Sequence, residues 1–262
     1  MCQKLRLSAW FNRLQIIDST TISLFSNLIF KGVGRHPKTG KKKGGIKVHT
    51  NIHANEFVPS DIKFTSAATN DSFMLKPANY NDGDIIAMDR AYIDYARFEE
   101  LTNRGVTYVT KMKKNLVYDT LSDTMYMLPC GLMECRVQVV EFRKHIKGGE
   151  NIKHKARIVT YVDPAKKKAK VISLLTNDMT MEVEDIIDIY RQRWEIELLL
   201  KQLKQKFPLK YFYGESANAI KIQIWVTLIA NLLLMVIKKR IKPSWSFSEN
   251  HAHVLCELLY FP

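Results

Sequence analysis

The sequence predicts an α/β protein in which a mixed sheet is interrupted by an inserted β subdomain and completed by C-terminal helices. Three observations carry the prediction. Apolar, β-branched runs recur through the first 116 residues, broken by one amphipathic helical pattern. Residues 117–176 hold only short β-like segments separated by turn residues. Two long helical patterns occupy 177–262.

The elements follow in order. LQIIDSTTISLF (14–25) reads as a strand ending near Asp18. KGVGRHPKTGKKKGG (31–45) is a glycine-rich basic loop suited to tracking a phosphate backbone. Strands are expected at GIKVHTNIHA and near DIKFTSA, and a short helix around DSFMLKPAN. IIAMDRAYIDYARFEELTNRG (85–105) predicts a strand, a turn and an amphipathic helix closed by Gly105, and VTYVTKMKKN a further strand. MYMLP, CRVQVVEF, KARIVTYV and KAKVISLLT make up the inserted β subdomain, with turns at HIKGGEN and DPAKKKAK. A helix is expected from near Met181, capped by Asn177 or Thr180, to beyond Lys204, where Pro208 stops it. An apolar helix over 218–240 packs behind it, and no internal repeat is present.

Composition narrows the function classes. A chain of 262 residues that is 46% apolar can bury a substantial core. Its 40 lysines and arginines against 26 acids leave a net charge of +14, which suits a polyanionic partner, nucleic acid first. Cys2, Cys130, Cys135 and Cys256 have neither zinc-site spacing nor the density of a disulfide framework, and the His251/His253 pair near the end makes a poor metal site. No signal peptide is recognisable at the start. The longest apolar run, IWVTLIANLLLMVI, is short for a bilayer span and fits a buried helix. A soluble, cytoplasmic protein with no membrane partner is expected.

Two motifs share a form. IIDST and IAMDRAY each deliver an aspartate, Asp18 and Asp89, at the carboxyl end of an apolar run. On neighbouring strands the two carboxylates lie side by side and repel unless a hard divalent cation binds between them. Each aspartate taken alone fits better as the cap of a turn after a strand.

A third carboxylate lies in YRQRWEIELLLKQLKQK (190–206). At 100° per residue, Arg193, Glu197, Lys201 and Lys204 fall at about −60°, −20°, +20° and −40° from Tyr190, one stripe on one helix face. An ordinary surface stripe with i,i+4 pairing has the same spacing. With Asp18 and Asp89, however, Glu197 completes the oxygen-ligand set that two-metal phosphoryl transfer needs, and the surrounding cations are placed to neutralise DNA phosphates. Glu195 falls on the opposite side of the helix.

Tyr190, Arg193, Glu197 and Lys204 match the Y-x2-R-x3-E-x6-K signature of DDE transposases of bacterial insertion sequences, specifically insertion-sequence family four. The resemblance extends to IIDSTTISL, GGIKVHTNI, MDRAYIDYARFEELTNRGVTYVTKMKKN and YGESANAIKIQIW, nearly all of residues 14–240. It implies an RNase H-like core with a β-strand insertion. It also implies Mg²⁺-dependent cleavage at transposon ends and strand transfer into target DNA, with two ions for which Mn²⁺ substitutes. Asp18, Asp89 and Glu197 correspond to the catalytic metal ligands, and Tyr190, Arg193 and Lys204 to DNA contacts. The helical arithmetic adds Lys201, and the position after VTYVT adds Lys111 and Lys113. A homodimer on DNA, nucleoid-associated, is expected because two ends must be brought together.

Three departures from the family pattern set further expectations. Few residues precede Asp18, so the chain resembles an N-terminally shortened copy. The segment 117–176 contains no tryptophan to hold a flipped base, leaving Tyr118 or Tyr126 as stacking platforms. The tail after Lys242 is short for a dimerisation element. The competing readings are a nuclease of the same fold that does not join strands, and an inactive copy that binds DNA.

Overall fold

Alternating apolar residues produce the strands of this protein, and the alternation decides which helix each face meets. The computed structural model describes residues 9–23, 34–35, 42–43, 45–56, 58–127, 134–144, 151–163, 170–206, 212–214 and 216–240. Most of the basic loop, the predicted turns at HIKGGEN and DPAKKKAK, Pro208, the residues after Arg240, Cys2, Cys130 and Cys256 lie outside them.

The strands are β1 (Leu14–Ser23), β2 (Gly34–Arg35), β3 (Lys42–Lys43), β4 (Gly45–His53), β5 (Val58–Ser66), β6 (Ile85–Met88), β7 (Thr107–Lys111), β8 (Asp119–Met127), β9 (Glu134–Lys144), β10 (Ile152–Asp163) and β11 (Lys170–Thr176). The helices are α1 (Tyr95–Asn103), α2 (Val183–Lys206) and α3 (Ala217–Arg240). DSFMLKPAN forms two 3₁₀ turns, at 71–74 and 77–79, because Pro77 interrupts a longer helix.

Nine strands form one mixed sheet in the order β5-β4-β1-β6-β7-β11-β10-β9-β8, and β2 pairs with β3 apart from it. β1, β6 and β7 run parallel, and every other pairing in the large sheet is antiparallel. This is an α/β fold with the RNase H-like character that the sequence predicts. The strands of 117–176 extend the core sheet itself, because β11 pairs with β7 from Lys111↔Leu174 to Val109↔Thr176.

Two cores lie on the two faces. Leu14, Ile16, Ile85, Ala87 and Val109 pack beneath Ile186, Ile189 and Ile196 of α2. Ile17, Ile86, Met88 and Tyr108 pack against Phe98 and Leu101 of α1. Asp94 caps α1 by accepting from the Ala96 amide, and Gly105, at φ +72°, ends it.

The start of α2 departs from expectation. Asp178 accepts from the Thr180 and Met181 amides ahead of the helix. Asn177 instead ties strands together, accepting from Tyr108 N and donating to the Val106 carbonyl and Thr102 hydroxyl. The side chain is drawn away because β7 offers an otherwise unpaired amide there.

α3 is also corrected. The sequence predicts a buried helix, and Ile220, Ile224 and Leu228 do enter the core. Ile222, Val226, Ile229, Leu233 and Val236, however, are each at least half exposed. The helix extends the apolar run beyond the 14 residues read from sequence. Ala217–Ile237 is long and apolar enough, by length and composition, to cross a membrane.

Candidate active site

Strand register positions the first two carboxylates. In the parallel ladder Ile17 pairs with Met88, and Met88 pairs with Thr110. The next residues are Asp18, Asp89 and Lys111, one on each of three adjacent strands. Side chains alternate along a strand, so these three share the face of Leu14, Ile16, Ala87 and Val109, the face covered by α2. β1 does not end at Asp18 as the sequence suggests. It continues to Ser23 in antiparallel pairing with β4, which includes Asp18↔Thr50. Asp18 therefore stands where the parallel ladder stops and a three-stranded antiparallel extension of β1, β4 and β5 begins.

The turn-capping role is not taken up at Asp89. That residue is extended, at φ −78° and ψ 159°, ahead of the 3₁₀ turn Arg90–Tyr92, and its side chain makes no capping hydrogen bond. Asp18 Oδ1 does accept from the Ser19 amide, at 2.8 Å.

α2 carries the rest of the site. Ile186, Ile189, Ile196 and Leu200 hold it on the sheet, and Trp10 Nε1 donates to Asp185 Oδ1 at 2.8 Å. The predicted stripe runs from interior to solvent. Tyr190 is 6% exposed and Arg193 4%, whereas Glu197 is partly exposed and Lys201 exposed. Lys204 lies in the last turn of α2, with its side chain outside the described residues. Lys111 and Lys113 are half-buried at and just after the end of β7.

Arg193 occupies the centre. Its Nη1 donates to Glu197 Oε1 at 2.5 Å and lies 3.8 Å from Asp18 Oδ2. Its guanidinium carbon lies 5.3 Å from the Tyr190 ring centroid and 5.5 Å from that of Trp194. Its Nε is buried and has no hydrogen-bond partner among the described residues. Burial pushes the Asp18 carboxyl up to about 6; the Ser19 amide and Arg193 oppose the shift, while Glu197 and Asp89 add to it. Glu197 and Asp89 are therefore each within electrostatic reach of Asp18.

Carboxylate oxygens are the donors that hard divalent cations take. Two of them, from Asp18 and Glu197, already face one cationic atom, Arg193 Nη1, which stands in for such an ion. The donor chemistry fits a metal site. Among the described residues, though, no three His, Cys, Asp or Glu side chains are gathered closely enough to hold an ion.

Sequence reasoning missed the support behind β1. On the face opposite Asp18, Ser19 Oγ donates to Asp71 Oδ1 at 2.7 Å, and Lys47 Nζ donates to the same oxygen at 3.2 Å. His49 Nδ1 lies 3.6 Å from that oxygen, and its Nε2 lies 2.7 Å from Thr65 Oγ1. Burial pushes the His49 imidazole down to about 4, with Asp71 opposing. The only available signal was the alternation of Lys47 and His49 along β4.

Comparison with known proteins identifies the family. The Transposase DDE domain family matches residues 9–233. A Sinorhizobium fredii protein with a transposase name, y4zB, is 26% identical over 223 residues, 85% of this chain and 60% of that protein. A Synechocystis protein named for the transposase of insertion sequence element IS4SA is 28% identical over 222 residues, 84% of this chain and 59% of its own. A Geobacillus stearothermophilus protein named for the transposase of IS5377 is 24% identical over 250 residues, 89% of this chain and 60% of its own. The chain thus spans about 60% of the length of these relatives. With a match that runs through both aspartate strands and the glutamate helix, the chain belongs to the Transposase DDE domain family.

Proposed function

We propose that this chain is the catalytic domain of a transposase that cuts DNA at transposon ends and transfers the cut strands into target DNA. The observation that carries the reading is the register of Asp18 and Asp89 on adjacent parallel strands, facing the helix that bears Glu197. Asp18, Asp89 and Glu197 would hold two Mg²⁺ ions, with Mn²⁺ able to substitute. Divalent ions bound there supply activation of the attacking hydroxyl and stabilisation of the departing oxygen.

The chain's own residues do the rest. Asp18, titrating at about 6, is largely ionised near neutral pH and available to a cation. Lys111, beside Asp89 in the register, and Lys113 approach the phosphate backbone from the sheet. Lys201 and Lys204 approach it from α2, and Tyr190 and Arg193 engage it next to the carboxylates. A homodimer on DNA follows from the need to join two ends.

The test is supercoiled-plasmid nicking by the purified chain with Mg²⁺ or Mn²⁺, beside Glu197→Gln and Asp18→Asn. Nicking that both substitutions abolish is the expected result, and joined products then separate a transposase from a nuclease. Equal nicking by the substituted proteins would overturn the assignment.

A further inference from the structure

We infer that Arg193 is a positioning residue that couples DNA to metal loading: its guanidinium occupies the carboxylates in the DNA-free protein and releases them when a phosphate takes it up. The inference rests on the metal reading above.

Three observations point this way. The first is competition for the same atoms. Arg193 Nη1 contacts Glu197 Oε1 at 2.5 Å and lies 3.8 Å from Asp18 Oδ2. A dication on those oxygens would lie against a guanidinium that is 4% exposed, and like charges repel strongly where water is excluded. Ion and arginine cannot share the position.

The second is an unused donor. Among the described residues Arg193 Nε is buried without a partner, while Nη1 serves the carboxylates. A guanidinium engages phosphate through a planar fork of two N–H groups, so an edge with Nε unpaired is primed for a bidentate acceptor. The carboxylates leave it unsatisfied.

The third is a path. The guanidinium lies over both the Tyr190 and the Trp194 ring, and Trp194 is half exposed. Rotation along the Trp194 face takes the cation toward solvent while aromatic contact is kept. A phosphate arriving at α2 would draw it out and leave Asp18 and Glu197 to the metal.

Mn²⁺ binding tests this, measured by calorimetry on the full chain with and without a short duplex of arbitrary sequence. Asp18→Asn with the same duplex supplies the background of ions held by DNA alone. In the wild type the duplex is expected to tighten Mn²⁺ by about fivefold or more, within the usual range of coupling between sites. Arg193→Gln is expected to bind Mn²⁺ more tightly than wild type without DNA, and to lose the DNA effect. Arg193→Lys, which keeps charge but not the fork, falls between, and circular dichroism checks that both variants fold.

A wild type whose Mn²⁺ affinity ignores the duplex overturns the inference whatever the variants do. So does an Arg193→Gln protein that binds Mn²⁺ no more tightly than wild type. If Mn²⁺ binding survives Asp18→Asn, the metal-site reading itself fails. If Asp18→Asn removes binding and the Arg193 variants match wild type, the coupling alone fails.

Discussion

Ser19 and Asp71 share a 2.7 Å hydrogen bond on the face of β1 opposite Asp18. β1 at this point has left its parallel neighbour and is held in the sheet by β4 alone. The Asp71 carboxylate, gripped by Ser19 and Lys47, pins that extension to the 3₁₀ turn at Asp71–Met74. Replacing Asp71 with Ala leaves the Ser19 hydroxyl without this acceptor in a mostly buried pocket and leaves Lys47 Nζ with the Thr69 carbonyl, at 2.8 Å. It should cost roughly 1–3 kcal/mol in urea unfolding, more than Ser19→Ala.

The two faces of this strand pair titrate with opposite sign. Asp18 is raised from 3.8 to about 6, so between those values the folded chain holds more protons than the unfolded one, and stability falls as pH rises. His49 is lowered from 6.5 to about 4, so there the unfolded chain holds more protons, and stability rises with pH. In chelator, Asp18→Asn should be more stable than wild type at pH 7, with the advantage fading toward pH 4. His49→Gln should remove the rising component. Urea midpoints across pH 4–7 decide both.

Tyr108, His154 and Glu99 link β7, β10 and α1. Tyr108 Oη and His154 Nε2 are 2.7 Å apart, as are His154 Nδ1 and Glu99 Oε2. Burial pushes the His154 pKa down, against the Glu99 bond, so the ring is expected to be neutral in the fold. Tyr108→Phe leaves a fully buried ring nitrogen unpaired and should cost about 1–3 kcal/mol. A double-mutant cycle with Glu99→Gln should show coupling of at least about 0.5 kcal/mol; additivity would dissolve the link.

Gly105 sits at φ +72°, and a Cβ there would meet the Asp82 carboxylate. Gly105→Ala should lose roughly 1–2 kcal/mol in thermal or chemical unfolding from the left-handed backbone alone. An unchanged midpoint would mean the loop relaxes freely.

Lys201 is exposed on α2 beyond Glu197. Lys201→Ala should weaken binding to any duplex and lower the slope of log affinity against log salt by about 1. A retained slope would remove Lys201 from the DNA interface.

Much of the site was legible because it rests on local patterns. Apolar runs ending in Asp18 and Asp89 mark neighbouring strands, and helical spacing alone puts Glu197 on the face of Tyr190 and Arg193. Pairing between distant segments leaves no such trace. The run of β1 past Asp18 depends on β4, and the joining of β11 to β7 depends on a partner some sixty residues away. Burial of Arg193 was hidden for a related reason. A stripe of Tyr, Arg, Glu and Lys reads as solvent-facing until a sheet edge rich in carboxylate is set against it. Asn177 misled because a capping side chain is equally able to serve a neighbouring strand.

The register of Asp18 with Asp89 also has a consequence in time. Both aspartates leave the ribosome before Glu197, and the sheet that aligns them needs β4 and β6 already made, whereas Glu197 arrives only with α2. Because domains form as the chain is synthesised, N-terminal parts first, the nascent protein passes through a long interval with two facing acids and no helix above them. The centre can come into being only once α2 has been synthesised and laid over that sheet.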